Sequence, residues 1–304
     1  MASLKHHIEY LAAFVGRGVA RSLSPRLADA FGASLGSLAH CLMKSRRQLA
    51  FDNLKQGMGD ALSDEAIAAL VREVFRNIGR MLIEFSRFGK TKPEDVDRIV
   101  VGEGAELFRR VLEGGHGGFL ATAHFGNWEL LGAWVAAQGF PVDLLVATQH
   151  NPLIDRMINR FRTSMGVGIV ELATSSRGVF KTLRANRIAA TAPDQHAPAG
   201  TVIMNFFGRP ASIARGPALF AIRCNCPVIP ILLRRERYDR HVLIAGDLIY
   251  PPRSGDEEAD VQQMTARYVA FIEENIRRYP DQWLWTHNRW KLHKKEGNRE
   301  DAAT

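Results

Sequence analysis

The sequence predicts an α/β fold with a mostly parallel central sheet flanked by helices, preceded by a helical N-terminal segment. Three observations predict it. Between residues 91 and 295 short apolar runs alternate with helix-period segments, the pattern of strands joined by crossover helices. Residues 1–90 show only long amphipathic stretches. With 46% hydrophobic content in 304 residues, the chain can enclose one large core.

Residues 1–45 divide into two helices at Ser24-Pro25, where Ser24 suits a cap and Pro25 the first helical position. Ile8, Leu11, Val15 and Val19 recur at helical spacing, with Lys5, Arg17, Arg21, Arg26, Lys44, Arg46 and Arg47 among and after them. That pattern suits a helix lying in an anionic membrane interface, and equally one packed on the domain. Leu27 to Met43 is the best candidate for a span, yet it holds Asp29 and His40 and is shorter than the ~20 apolar residues a span needs. Residues 46–90 read as a helical cap. Within it Ser63-Asp64-Glu65 opens a helix to about Phe88, stopped near Gly89 and Pro93.

The α/β domain of residues 91–295 then runs strand near Ile99, helix 105–112, strand into His124, helix after Asn127, strand 144–147, helix 152–165, strand 168–171, helix 176–185 and strand 188–192. Strands at 202–206, 228–233 and 242–249 follow, and 257–279 reads as a long closing helix. Residues 296–304 are expected to form a disordered tail.

Net charge is +8 with a pI near 9.7, so an anionic partner is expected: nucleic acid, an acidic membrane surface or an acidic carrier protein. Trp283, Trp285 and Trp290 beside Arg277, Arg278, Lys291, Lys294 and Lys295 fit a membrane interface or single-stranded nucleic acid, but no nucleic-acid motif accompanies them. Cys41, Cys224 and Cys226 make neither a disulfide framework nor a zinc pattern, which fits a reducing setting. No apolar core followed by a small-residue cleavage site opens the chain, so no secretory leader is expected.

The chemistry is expected at His124-Phe125-Gly126-Asn127-Trp128-Glu129, between an apolar strand and a helix. A histidine at a strand's carboxyl end is fixed by its backbone, and a glutamate one turn later can reach back to one imidazole nitrogen. The other nitrogen is then free as a general base. The N–H groups of Gly126 and Asn127, where the helix begins, can support developing negative charge. The spacing alone is weak: with 10 His and 32 Asp+Glu, chance supplies roughly one such pair, and His150…Asp155 repeats it. Gly126 at the corner favours His124, whereas Pro152 marks His150 as preceding an ordinary helix start.

Residues 117–129, Gly-Gly-Phe-Leu-Ala-Thr-Ala-His-Phe-Gly-Asn-Trp-Glu, resemble the first block of the lipid A late acyltransferases, within the lysophospholipid acyltransferase superfamily. Further blocks recur in order: Asn151–Gly166, Ala192-Pro193-Asp194-Gln195 running on to Phe206–Ala211, and Trp283–Lys291. The resemblance implies a glycerolipid acyltransferase-like fold with a membrane-anchoring N-terminus. It implies His124 and Glu129 as catalytic residues, an active-site arginine at Arg162 or else Arg160, and Asp194 in the substrate site. Asn127, Gln195 and Arg209 join the candidate substrate-binding set, with Arg215 a further phosphate contact. Asp194-Gln195 reads equally as a polar turn, and Phe206-Phe207 as an acyl groove or plain core.

The reaction so implied moves a fatty acyl group from an acyl thioester, on acyl carrier protein or coenzyme A, to a hydroxyl of an anionic lipid A precursor. No metal or redox cofactor is expected, and the site of action is the cytoplasmic face of a bacterial inner membrane. The nearer rival keeps the chemistry with another acceptor, such as a phosphatidylinositol mannoside. The distant rival is a non-enzymatic basic protein that binds membrane or nucleic acid.

Overall fold

The computed structural model describes residues 3–171, 175–197 and 200–290. The chain opens with four helices: α1 (Leu4–Ser22), α2 (Pro25–Leu42), α3 (Lys44–Met58) and α4 (Asp64–Ser86). Ser24 caps α2 by accepting from Leu27 N, and Ser63 caps α4 by accepting from Ala66 N. Asp64 and Glu65 complement the positive end of the α4 dipole.

α2 and α4 pack backbone to backbone through glycines. A Cβ on Gly36 would collide with the Phe75 carbonyl, one on Gly79 with the Gly32 carbonyl, and one on Gly32 would lie 2.7 Å from Arg80 Cα. Only glycine permits this approach. Among the described residues no helix is long and apolar enough to cross a membrane, and α2, which covers most of the Leu27–Met43 stretch, is instead seated on α4.

Among the described residues the sheet has seven strands: β1 (Val100–Val101), β2 (Gly118–Ala121), β3 (Val142–Val146), β4 (Gly168–Glu171), β5 (Ile188–Thr191), β8 (Val228–Arg237) and β9 (Arg240–Ala245). Their order is β1-β9-β8-β2-β5-β3-β4, parallel throughout except for the β8–β9 pair. Buried on both faces, β2 and β5 read as continuous apolar runs rather than alternating ones. Helices α5 (Pro93–Ile99), α6 (Ala105–Glu113), α7 (Trp128–Ala137) and α8 (Pro152–Thr163) cover one face. Helices α9 (Ser175–Arg184), α10 (Gly216–Cys224) and α11 (Glu257–Arg278) cover the other.

Alternate residues of the central strands feed the two cores: Phe119, Ala121, Ala189 and Leu232 on one side, Leu120, Ala190, Ile231 and Leu233 on the other. α4 spans both cores, with Ile67, Val71 and Phe75 in the first and Met81 and Phe85 in the second. Most of the strands and helices expected from periodicity are present, but Ile99 ends helix α5 and the strand is only the two residues after it.

The expected strand 202–206 is one arm of a separate hairpin, β6 (Thr201–Phe206) with β7 (Arg209–Ala214). Phe207 and Gly208 both take positive φ, the geometry of a tight two-residue turn. Phe207 tolerates it because its ring is enclosed by Trp283, Trp285 and Trp290 while Glu273 accepts its N–H at 2.7 Å. The 296–304 tail and Lys291, Lys294 and Lys295 lie outside the described residues.

Gly79→Val should destabilise the α2–α4 contact by about 1–3 kcal/mol, the range for overpacking a tight interface. A thermal melt should show the midpoint falling by several degrees, and an unchanged midpoint would contradict the packing described.

Candidate active site

Strand β2 leads the chain to His124 and strand β5 leads it to Asp194. The two strands are parallel neighbours with Ala121 beside Thr191. Three residues beyond each strand end, His124 and Asp194 meet through direct hydrogen bonds at the carboxyl edge of the sheet. Ligands bind at that edge in open α/β sheets.

The Asp194 carboxylate is buried and receives three donors. His124 N–H donates to Oδ2 at 2.9 Å, His124 Nδ1 donates to Oδ1 at 2.8 Å, and the Trp283 indole N–H donates to Oδ2 at 2.7 Å. Burial works against ionisation of Asp194, but the charge and hydrogen bonds of His124, with the Trp283 bond, hold its pKa below the ordinary carboxyl value. Burial likewise pulls the His124 imidazole down. The attraction and hydrogen bond of Asp194 outweigh it, with a smaller push from Glu129, and raise the His124 pKa above its ordinary 6.5.

With Nδ1 committed to Asp194, Nε2 is the ring nitrogen left for chemistry. The side chain remains 25% exposed, in a cavity of about 330 Å³ whose wall includes Trp128, Glu129, Arg162 and Gln195. Leu120, Leu131, Gly132, Leu144 and Ala190 make the rest of that wall largely apolar.

The expected bond from Glu129 to His124 is not made. Glu129 is the second residue of α7, where its carboxylate turns towards α8 and meets Arg162 in a two-point fork: Nε to Oε2 at 2.9 Å and Nη2 to Oε1 at 2.6 Å. The Trp128 ring stands edge-on to the imidazole, with centroids 5.1 Å apart. A buried carboxylate beside a permanent guanidinium charge is better satisfied there than by an imidazole that titrates. Asp194, expected in the substrate site or in a polar turn, is bonded directly to His124.

The N–H groups of Gly126 and Asn127 are not available to a reacting oxygen either. Gly126 N–H donates to the Gln282 carbonyl at 2.8 Å and Asn127 N–H to the Leu233 carbonyl at 3.2 Å. Gly126 has φ near 55°, and a Cβ there would strike the Leu233 carbonyl. The corner therefore requires glycine so that it can lie against β8.

Asn127 is fully buried and serves as the cap of α7. Its side-chain oxygen accepts from Leu130 N–H at 3.0 Å, and its amide donates to Glu84 at 2.6 Å. Glu84 in turn is bound twice by the Arg235 guanidinium. Burial opposes its charge, yet Arg235 and then His241 hold its pKa well below the ordinary carboxyl range.

Residues 1–292 match the family model described as bacterial lipid A biosynthesis acyltransferase. The chain belongs to that family. A phosphatidylinositol mannoside acyltransferase of Mycolicibacterium smegmatis is 27% identical over 191 residues, 59% of this chain and 58% of that protein. Its Mycobacterium tuberculosis counterpart is 27% identical over 213 residues, 67% of this chain and 63% of that protein. The lipid A biosynthesis lauroyltransferase of Escherichia coli is 24% identical over 262 residues, 86% and 84% of the two chains. The matches thus span less than two-thirds of the mycobacterial relatives.

The remaining expected residues of this lipid A acyltransferase-family chain lie apart from His124. Arg160 is exposed on the opposite side of α8 from Arg162, because two residues rotate a helix by roughly 200°. Arg209 is exposed at the start of β7, and Arg215 pairs with Glu258 at 2.8 Å. Phe206 and Phe207 are buried in an aromatic cluster with Trp283 and Trp290 and line no part of the His124 cavity. His150 stands edge-on to His6, and Asp155 accepts from Gln149 N–H and Asn159 rather than facing open solvent. Trp283 and Glu84 were not among the residues expected at the site. Trp283 carried a signal, since it opens the last block of the resemblance, whereas Glu84 sits unmarked in an amphipathic helix.

Asp194→Asn should lower the His124 pKa, because burial's downward pull remains when the opposing charge is gone; histidine ring NMR titrations report it directly. The pair should also give pH-dependent stability. His124 is raised, so its contribution is complete below about pH 6.5 and is lost as pH climbs through the raised value. Asp194 is depressed, so its contribution is complete above about pH 3.8 and is lost as pH falls through the lower value. Denaturant midpoints of wild type and Asp194→Asn should therefore differ most between those limits, and a difference independent of pH would contradict the ion pair.

Proposed function

We propose that the chain is an O-acyltransferase that moves a fatty acyl group from an acyl thioester to a hydroxyl of a lipid A precursor. The observation that carries this reading is the His124–Asp194 pair, with Nδ1 tied and Nε2 left for chemistry at a cavity that has both apolar walls and the Glu129–Arg162 pair. His124 Nε2 takes the proton of the acceptor hydroxyl as its oxygen attacks the thioester carbonyl. The tetrahedral intermediate then expels the thiolate, the C–S bond breaks, and the imidazolium returns the proton to sulfur. An ester and a free thiol result, and nothing in this chemistry calls for a metal or redox cofactor.

Asp194 holds the reactive tautomer and stabilises the imidazolium as it forms. Arg162 uses three of its five N–H groups on Glu129 and Asn159, so two remain for a developing oxyanion or an anionic substrate. Glu129 acts as the positioning partner of Arg162. Gln195, next to Asp194 in sequence and on the cavity wall, meets a polar part of the acceptor in this reading.

The donor in this reading is acyl carrier protein or coenzyme A carrying the acyl chain. The positive charge of the chain suits an acidic carrier. The setting is the cytoplasmic face of an inner membrane, with contact through the exposed apolar stripe of α1. A second acceptor, a phosphatidylinositol mannoside, is favoured by the two mycobacterial relatives at 27% identity. Mass analysis of products from parallel reactions with each acceptor separates the two: the acceptor that gains one acyl mass is the substrate.

Three outcomes test the mechanism. His124→Ala should lower kcat by about 10²–10⁴-fold, the usual contribution of a general base, while the protein stays folded. Transfer by the wild type should rise with pH through an apparent value above 6.5, because the base must be neutral and Asp194 raises its pKa. Asp194→Asn should move that rise to lower pH and reduce the plateau. Full turnover by His124→Ala would overturn the assignment.

A further inference from the structure

A second cavity, of about 590 Å³, lies between α1 and α8 on the side of α8 away from His124. Four arginines line it: Arg17 and Arg21 from α1, Arg156 and Arg160 from α8. Each pair is spaced four residues apart on its helix, where like charges stand one above the other and oppose helix stability. Two such pairs therefore face one cavity, and among the described residues no carboxylate lines it and none forms an ion pair with any of the four.

The inner pair is held in place by the backbone. Arg17 Nε donates to the Ser86 carbonyl at 3.3 Å and Arg21 Nη1 to the Phe88 carbonyl at 3.2 Å, while the Arg17 guanidinium lies 4.6 Å from the Phe161 ring centroid. Burial, and then the neighbouring Arg21, pull the Arg17 pKa below its ordinary value. Such an array of convergent guanidinium groups gains most from an anion with several oxygens, and phosphate matches their forked geometry.

The other exposed side of α1 says what carries the anion. Leu4, Ile8, Leu11 and Val15 are 79%, 62%, 61% and 56% exposed and form a single stripe. At 3.6 residues per turn that stripe lies roughly 120° around the helix from Tyr10, Arg17 and Arg21. A helix with its apolar stripe in a bilayer would hold the arginine cavity beside it, at headgroup depth.

We propose that this cavity binds the phosphate of an anionic amphiphile whose chains lie along the apolar stripe of α1. Two lipids present that chemistry, a bilayer phosphodiester and a glycolipid acceptor bearing a phosphomonoester. The inference deepens the reading of a phosphorylated lipid acceptor, and its test needs no turnover, so it stands or falls apart from the acyl-transfer assignment.

The test compares wild type, Arg156→Gln/Arg160→Gln and a charge-matched control, Arg110→Gln/Arg253→Gln, each confirmed folded by circular dichroism. The exposed outer arginines are chosen because Arg17 and Arg21 also bond the backbone and their loss could disturb folding. Calorimetric titration uses dihexanoyl phosphatidic acid and dihexanoyl phosphatidylglycerol, each below its micelle concentration, and inorganic phosphate. The cavity variant should bind the two lipid probes about tenfold or more weakly than wild type, the control variant nearly as well as wild type. Preference for phosphatidic acid would assign the site to a phosphomonoester, and equal binding to a bilayer phosphodiester. Equal losses in the cavity and control variants, no binding by wild type, or inorganic phosphate binding as tightly as the lipids would overturn the proposal.

Discussion

A single buried carboxylate, that of Asp194, ties together three parts of the chain. It receives the backbone and ring N–H groups at the end of β2 and the indole N–H of the C-terminal segment, while it stands itself at the end of β5. An ionised carboxylate without partners would cost several kcal/mol to bury. Three converging donors offset that cost, and they do so only if the strands keep register and the last segment returns across the corner. The arrangement that prepares His124 thus also makes its geometry a condition of burying Asp194.

The rest of the architecture keeps that corner still. The C-terminal segment crosses it with two backbone bonds, Leu284 N–H to the His124 carbonyl at 3.0 Å and Gly126 N–H to the Gln282 carbonyl at 2.8 Å. The same segment is held from the helical side, where Asn53 of α3 donates to the Trp285 and His287 carbonyls and Asn77 of α4 to the Asp281 carbonyl. On the other side Glu84, neutralised by Arg235, fixes the Asn127 amide and through it the start of α7. α3 and α4 therefore brace the site rather than simply covering the sheet.

α8 divides the cationic chemistry between two environments. Its inward arginine, Arg162, is paired with Glu129 at the His124 cavity, so local charge there is balanced and two N–H groups stay usable. Its outward arginines, Arg156 and Arg160, face α1 and have no carboxylate partner among the described residues. One helix thus separates the charge-balanced His124 cavity from a second cavity lined by four arginines.

Local sequence determined much of this protein. Short-range rules placed the caps Ser24 and Ser63, most helix bounds, the parallel-sheet class and the strand–corner–helix at His124, because periodicity and capping act within a few residues. The same rules named Glu129 as the partner of His124, since it alone was within local reach. Only tertiary structure decided otherwise. Asp194 lies 70 residues away, and its meeting with His124 follows from the β2–β5 register, which depends on how whole strands align and leaves no mark in either segment. Arg160 and Arg162 are two apart in sequence, yet the turn of α8 sends Arg162 to the His124 cavity and Arg160 to α1, because a helix's rotation assigns faces only once its neighbours are packed against it.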